Sequence, residues 1–345
     1  MDKKYTIKDI AKMAGVSKGT VDRVLHNRGK VSPTALDKIN EVLNVINYEP
    51  NLIARNLKNT KVYRICVLLP DPEIDPYWLP CVNGIQEAKT EFKAYGVIIE
   101  THYFNPESKK SFLSAHETII KQSPDAVLIA PLFHKETIEI VKQYDELEII
   151  VNTFNNQIEG ESIKSFVGQD LYKSGRVAAS LMNLILTDGQ IAIIHIDESV
   201  KNAVHMQEKE KGFRNYFDEK KIADFSLTTL KLKHPNVESK FSAFLEENPN
   251  LKGIFITTSK AYQIASILAP LQKKIAIIGY DLVEKNVNFL NQGLVHFLIH
   301  QNQKRQAYLG VSTLVEHFIF RKDIPETILL PIDIINVENA SFYVS

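Results

Sequence analysis

Cysteine is nearly missing, with only Cys66 and Cys81 in 345 residues. One falls in an apolar strand-like run and the other in a helical pattern, which excludes a disulfide framework and a metal knuckle; each thiol reads as a packing group. No run of eighteen apolar residues occurs, which excludes a membrane-spanning helix. The opening MDKKYTIKD is charged and leads into no apolar stretch, so no secretion signal is read, and the expected location is the cytoplasm. The sequon Asn339-Ala340-Ser341 has no consequence without secretion. Also missing are the nucleophile elbow GxSxG, the P-loop, GxGxxG and HExxH, so nothing specific supports an enzyme, and no catalytic residue or cofactor is expected. His296 and His300 are four apart, a zinc spacing on a helix. LVHFLIHQ alternates like a strand, however, which would hold them about 13 Å apart, and no metal is expected.

Net charge is absent as well, with 41 Lys/Arg against 41 Asp/Glu, but the balance is uneven. Residues 1–60 hold eleven Lys/Arg and six Asp/Glu, while the remaining chain holds 30 and 35, so the basic end is the one suited to phosphate. TIKDIAKMAG places Thr6 and Asp9 at capping-box spacing and Ile7, Ile10, Ala11 and Ala14 at helical intervals before Gly15. Ser17 starts a second helix with Val21, Val24 and Leu25 inward. Ser32-Pro33 starts a third with Leu36, Ile39, Val42, Leu43 and Ile46 as its apolar face. Three helices in fewer than fifty residues, the first two joined by a short Gly-containing turn, make a helix-turn-helix pattern. NLIARNLKNTK follows with only a thin apolar stripe, and alone in water it should be mostly unfolded.

From residue 62 the texture changes. The apolar runs YRICVLLP, GVIIETHYF, DAVLIAP, EIIVNTF, IAIIHID, GIFITT and KIAIIGYD are separated by helical patterns at 79–94, 108–122, 171–187 and 259–272. Such alternation implies parallel sheets covered by helices on both faces, here in two series without a sequence repeat. The fold class is therefore α/β, with a small all-α head. Expected domains are a small helix-turn-helix head (1–49), a linker (50–61) and a two-lobed body (62–345). Lobe 1 is read as about 62–166 plus 297–322, and lobe 2 as about 167–296 plus 323–345.

In GVSKGTVDRVLHNRGKVS a small, basic helix start suits the major groove, where the N-terminal residues of one helix reach base edges. Lys18 and Arg23 can donate to guanine, Gly19 permits close backbone approach, and Ser17, Thr20, Lys30 and Ser32 can hold phosphates. Thr6 and His26 complete the expected DNA-contacting set. The alternative is an ordinary three-helix unit with a solvated basic face. The stretch from Tyr5 to Asn59 resembles the head and hinge of the LacI/GalR family of bacterial transcription regulators throughout its length. The resemblance implies a homodimer on operator DNA. It also implies a hinge helix that forms over the minor groove, with Leu57 as an apolar wedge and Ala54 beside it. Asp22 stands where the family commonly has Ser; it either accepts from cytosine N4 or orients Arg23.

Residues 62–345 resemble the type I periplasmic sugar-binding fold of that family, whose cleft lies outside the carboxyl ends of the strands. The resemblance places Asp75, Tyr77 and Trp78 of DPEIDPYW at the cleft, with aromatic faces for a sugar ring; alternatively the two aromatics plug a helix end. It likewise places Thr153 and Phe154, Lys209 where Arg is usual, Thr258 and Ser259 where an acid is usual, and Asp281 and Gln301. Lys cannot make the planar fork of Arg, and few acids argue against a strongly cationic effector. The expected partners are operator DNA, a small effector of the monosaccharide class and a second copy of the chain, with no membrane. The rivals are a solute-binding protein for uptake, which would need export and has no use for residues 1–60, and a sugar-modifying enzyme.

Overall fold

The computed structural model describes residues 5–25, 29–46, 61–158, 160–197 and 204–343. Contacts divide the chain into two units, Met1–Thr60 and Lys61–Ser345. His26, Ala54 and Leu57 lie outside the described residues.

In the first unit α1 (Ile7–Ala14), α2 (Lys18–Leu25) and α3 (Pro33–Val45) follow the three sequence patterns. The Thr6 hydroxyl accepts the Asp9 N–H at 3.3 Å while the Asp9 carboxylate accepts the Thr6 N–H at 2.9 Å, so both orphan donors at the start of α1 are satisfied. Gly15 ends the helix at a left-handed φ of 63°, with its N–H turned back to the Ala11 carbonyl. Ser17 Oγ accepts the Thr20 N–H at 3.1 Å and so starts α2. Ile10, Ala11, Ala14, Val21 and Ile39 form the buried core, with Val24, Leu25, Val42, Leu43 and Ile46 against it. Leu36 is 39% exposed rather than inward, because so small a core closes around Ile39 one turn further on.

The second unit holds two six-stranded sheets. The first contains β1 (Tyr63–Pro70), β2 (Val97–Phe104), β3 (Ala126–Ile129), β4 (Ile150–Phe154), β5 (Ile163–Gly168) and β11 (Thr327–Leu329), in the order β2-β1-β3-β4-β5-β11. The second contains β6 (Gly189–Ile196), β7 (Phe225–Leu232), β8 (Leu251–Ile256), β9 (Ala276–Tyr280), β10 (Phe297–His300) and β12 (Asp333–Ile335), in the order β7-β6-β8-β9-β10-β12. All described neighbours run parallel except β10 and β12. Residues Ile65 to Leu69 are all fully buried, which is why such strands read as continuous apolar runs rather than as alternation. α4 (Leu79–Glu91) and α12 (Gln303–Phe320) cover one face of the first sheet, and α5 (Lys109–Lys121) and α6 (His134–Glu146) the other. α7 (Leu171–Ile185) and α8 (Val204–Lys220) cover one face of the second, with α9 (Val237–Glu247), α10 (Ala261–Leu268) and α11 (Glu284–Asn291) opposite.

Two segments change lobe relative to the sequence reading. β10 belongs to the second sheet, bonded to β9 and β12, and β11 belongs to the first, bonded to β5. The chain thus crosses after His300 rather than before residue 297, and β11 delays the final crossing to residues 330–332. A strand pattern shows that a segment pairs but not which sheet edge accepts it.

Candidate functional site

In the head, Ser17, Thr20, Arg23, Lys30 and Ser32 line one depression of about 320 Å³, although they come from α2 with the residue before it and from the segment that leads into α3. The Arg23 guanidinium donates from Nε to the Gly19 carbonyl at 3.1 Å, which holds the side chain along its own helix. Ser32 precedes α3 without using its side chain as a cap. Lys18 and Gly19 are exposed, and a Cβ on Gly19 would meet nothing nearer than Ser17 Oγ at 3.8 Å, so packing within the head does not require glycine there. Close approach from outside does benefit from it. The Thr6 hydroxyl is taken up in the cap of α1, where it also donates to Asp9 at 2.7 Å.

In the body, the polar groups collect beyond the carboxyl ends of the strands, where open parallel sheets bind ligands. Asp75 accepts the Tyr77 N–H at 3.1 Å and caps the short turn Pro76–Trp78. That turn points its two aromatics in different directions. Trp78, 3% exposed, meets Phe154 edge-on with centroids 6.3 Å apart inside the apolar layer between the first sheet and α4 and α12. Thr153 is fully buried within β4 and its hydroxyl donates to the Ser165 carbonyl at 3.5 Å. Trp78 and Phe154 thus pack in the apolar layer of the first lobe, and Thr153 bonds within its sheet. Tyr77 faces the other way, and its hydroxyl accepts from Asn155 Nδ2 at 2.6 Å and from Gln301 Nε2 at a longer 3.4 Å.

Asp281 follows β9 at a left-handed φ of 67° and is 1% exposed. One carboxylate oxygen accepts from Gln303 Nε2 at 2.7 Å and the Gln301 N–H at 3.3 Å, and the other from Gln301 Nε2 at 2.8 Å. Burial pushes its pKa up to about 6 against the opposing pull of the Lys209 charge and the amide donors. Lys209 is itself buried; its ammonium donates to the Thr257 carbonyl at 3.1 Å and sits 3.7 Å above the Tyr280 ring. The close crossing of α7 and α8 seats it. A Cβ on Gly175 would lie 2.0 Å from the Lys209 carbonyl oxygen and one on Gly212 1.9 Å from that of Tyr172, so only glycines allow this approach. The Thr258 hydroxyl is buried with no partner among the described residues. Ser259 lends its carbonyl to Asn286 Nδ2 at 2.8 Å, and the same amide nitrogen holds the carbonyls of Tyr280 and Asp281. The structure thus joins Tyr77, Asp281 and Gln301, with Lys209 beside Asp281, across the two lobes.

Over residues 65–322 the chain matches the family described as Periplasmic binding protein domain, and over residues 6–51 the one described as Bacterial regulatory proteins, lacI family. A crystal structure assigned as a LacI transcriptional regulator from Bacteroides fragilis is 31% identical, covers 82% of this chain and all of its own, and superposes with a TM-score of 0.77. The chain belongs to the LacI family. The Ribose operon repressor of Halalkalibacterium halodurans is 25% identical over 282 residues, 80% of each chain. A solute-binding protein from Burkholderia graminis in complex with D-arabinose is 20% identical, covers 84% of this chain and all of its own, and has a TM-score of 0.73, a likeness of fold. LacI-family members are DNA-binding regulators rather than enzymes, which sets aside the enzyme rival.

Several groups escape the sequence reading of this LacI-family body. Asn155 and Gln303 complete the cross-lobe network, each lying one or two residues beyond a residue that the resemblance singles out, Phe154 and Gln301. Behind Thr257 lies a buried relay. The His195 ring is 2.8 Å from the Thr257 hydroxyl and 2.6 Å from Glu210, which also takes the Arg214 guanidinium at 2.8 Å and the Thr229 hydroxyl. Burial works to raise the Glu210 pKa, but these donors hold it down to about 2. The histidine stands in the run IAIIHID, yet its partners on α8 and β7 are invisible at sequence level. Cys66, Glu100 and His102 bring possible metal-ligating atoms within 4.8 Å of one another. Arg64 already neutralises Glu100, and burial first, then the Glu100 charge, pushes the Cys66 thiol up to about 12, so a thiolate ligand is costly there.

Proposed function

We propose that the chain is a cytoplasmic, homodimeric repressor that binds a roughly palindromic operator and whose DNA affinity is set by a neutral monosaccharide or close derivative held between its lobes. The observation that carries this reading is the network of Tyr77, Asp281 and Gln301. A carboxylate offers about four acceptor sites, and amides occupy three at Asp281, which leaves one for a hydroxyl, with the Thr258 hydroxyl beyond the end of β8 and the Lys209 ammonium reaching in from α8. Such donors and acceptors around one carboxylate and one ammonium of opposite sign suit a polyhydroxylated, uncharged ligand. The name of the Halalkalibacterium relative supports a pentose.

In the head, Lys18 and Arg23 read base edges past Gly19, while Ser17, Thr20, Lys30 and Ser32 hold phosphates around their shared depression. Thr6 fixes the start of α1 against the backbone. His26 joins the phosphate contacts, and Ala54 and Leu57 act in the hinge as the family resemblance implies. An uptake protein would leave this basic head without a role.

Selection of random DNA by the intact chain, repeated at fixed salt with D-ribose, D-arabinose and D-allose, tests the proposal. One near-palindromic site should be enriched, and one sugar should change its affinity about tenfold or more. A monomeric chain that binds every DNA alike would overturn it.

A further inference from the structure

The chain passes between the lobes three times among the described residues: at 168–170 from β5 to α7, at 300–303 from β10 to α12, and at 330–332 from β11 to β12. A change in lobe angle must be absorbed in these segments, because the sheets on either side are packed on both faces. One side chain touches all three. Gln169, in the first crossing and 2% exposed, donates from Nε2 to the His300 carbonyl at 3.0 Å in the second and to the Pro331 carbonyl at 2.6 Å in the third. Both hydrogens of one amide are spent on two different crossings. Its Oε1 is buried with no partner among the described residues, so the amide is placed for its donors at the expense of its acceptor.

The second crossing also carries the cleft. Gln301, next after His300, bonds Asp281 through its backbone N–H and its side chain, and its carbonyl accepts from Gln306 Nε2 at 2.6 Å. A ligand that displaces the Gln301 side chain therefore acts one peptide away from the carbonyl that Gln169 holds. We propose that Gln169 is the positioning residue that clamps the three crossings, fixes the resting angle between the lobes and so sets how strongly an effector in the cleft is coupled to the head. The clamp itself needs no ligand; only its coupling role rests on the effector reading.

The test uses spin labels on the intact protein at Glu107→Cys in the first lobe and Leu271→Cys in the second, both exposed positions, diluted into unlabelled chains. Cys66 and Cys81 are fully buried. Without ligand, Gln169→Met, which keeps the length of the side chain and loses both donors, should broaden the interlobe distance distribution about twofold. Gln169→Asn, which is one methylene shorter and reaches one carbonyl at most, should fall between and serves if the Met variant does not fold. Leu245→Ala, in the core of the second lobe, lowers stability without touching a crossing and should leave the distribution narrow. A distribution for Gln169→Met as narrow as that of the parent, or a Leu245→Ala distribution broadened equally, would overturn the proposal. Where a sugar alters operator affinity in the parent, Gln169→Met should reduce that ratio by about fivefold or more, and an unchanged ratio would sink the coupling role. If no sugar acts on the parent, the effector reading fails while the distance measurement still decides the clamp.

Discussion

Head and body satisfy their polar groups over different chain distances. In the head, Thr6 bonds Asp9, Ser17 bonds Thr20 and Arg23 bonds Gly19, partners three or four residues apart. In the body, the bonds that shape the cleft join residues separated by 20 (Gln301 and Asp281), 78 (Tyr77 and Asn155) and 224 (Gln301 and Tyr77). Local contacts form without closing long loops, whereas the cleft exists only after both sheets have assembled. The head supports its small core with caps and turns; the body relies on close packing and tolerates buried charge inside it.

The sharpest way to break that contrast is to force α7 and α8 apart. In Gly212→Val a Cβ would meet the Tyr172 carbonyl oxygen at 1.9 Å, a backbone atom that cannot swing away. The body should lose about 3 kcal/mol or more, seen as a lowered main thermal transition, while amide signals of the head stay in place. An unmoved transition would mean that the helices do not cross so closely.

A smaller effect sharpens the role of Asp281. Its folded-state pKa stands near 6, and a sugar hydroxyl that donates to the carboxylate favours the ionised form. Sugar affinity should therefore be level above pH 6 and weaken below it, by up to about tenfold per pH unit, in a calorimetric titration series. For stability the sign is opposite. A raised carboxyl pKa means that the folded chain holds the proton more tightly, so the contribution of Asp281 to stability is greatest below about pH 4 and declines as the pH rises through 6. Sugar binding that is flat from pH 5 to 8 would remove Asp281 from the contact.

The same contrast explains what was legible in the sequence. The three head helices, their capping box and their left-handed glycine are written in neighbouring residues, and the structure places them where the pattern does. Strands buried on both faces, such as β1 and β9, announced themselves as apolar runs. β7 did not, because its mixed residues are half-exposed at a sheet edge, and β11 and β12 are three residues each. The family resemblance points to Tyr77, Asp281 and Gln301, and the structure bonds their side chains into one network. That Trp78 and Phe154 turn inward, or that Gln169 ties three crossings, depends on which groups converge from distant segments, and no local pattern encodes that convergence.

The smallest effect tests the head alone. Thr6→Ala removes the hydroxyl that accepts the Asp9 N–H and donates to the Asp9 carboxylate, and leaves the bond from the Thr6 N–H to that carboxylate in place. Loss of such a cap costs about 1 kcal/mol. Among the described residues of the head, Ile10, Ala11, Ala14, Val21 and Ile39 form the buried core, and about 1 kcal/mol is a large share of what so small a core supplies. Hydrogen exchange at the α1 amides should quicken about fivefold, the change in opening equilibrium that 1 kcal/mol implies, while exchange in the strands of the body is unaltered. Thr6→Ser, which keeps the acceptor, should restore most of the protection. Equal acceleration in β1 and β9 would show that head and body unfold as one unit, and the division between local and long-range stabilisation would then be wrong.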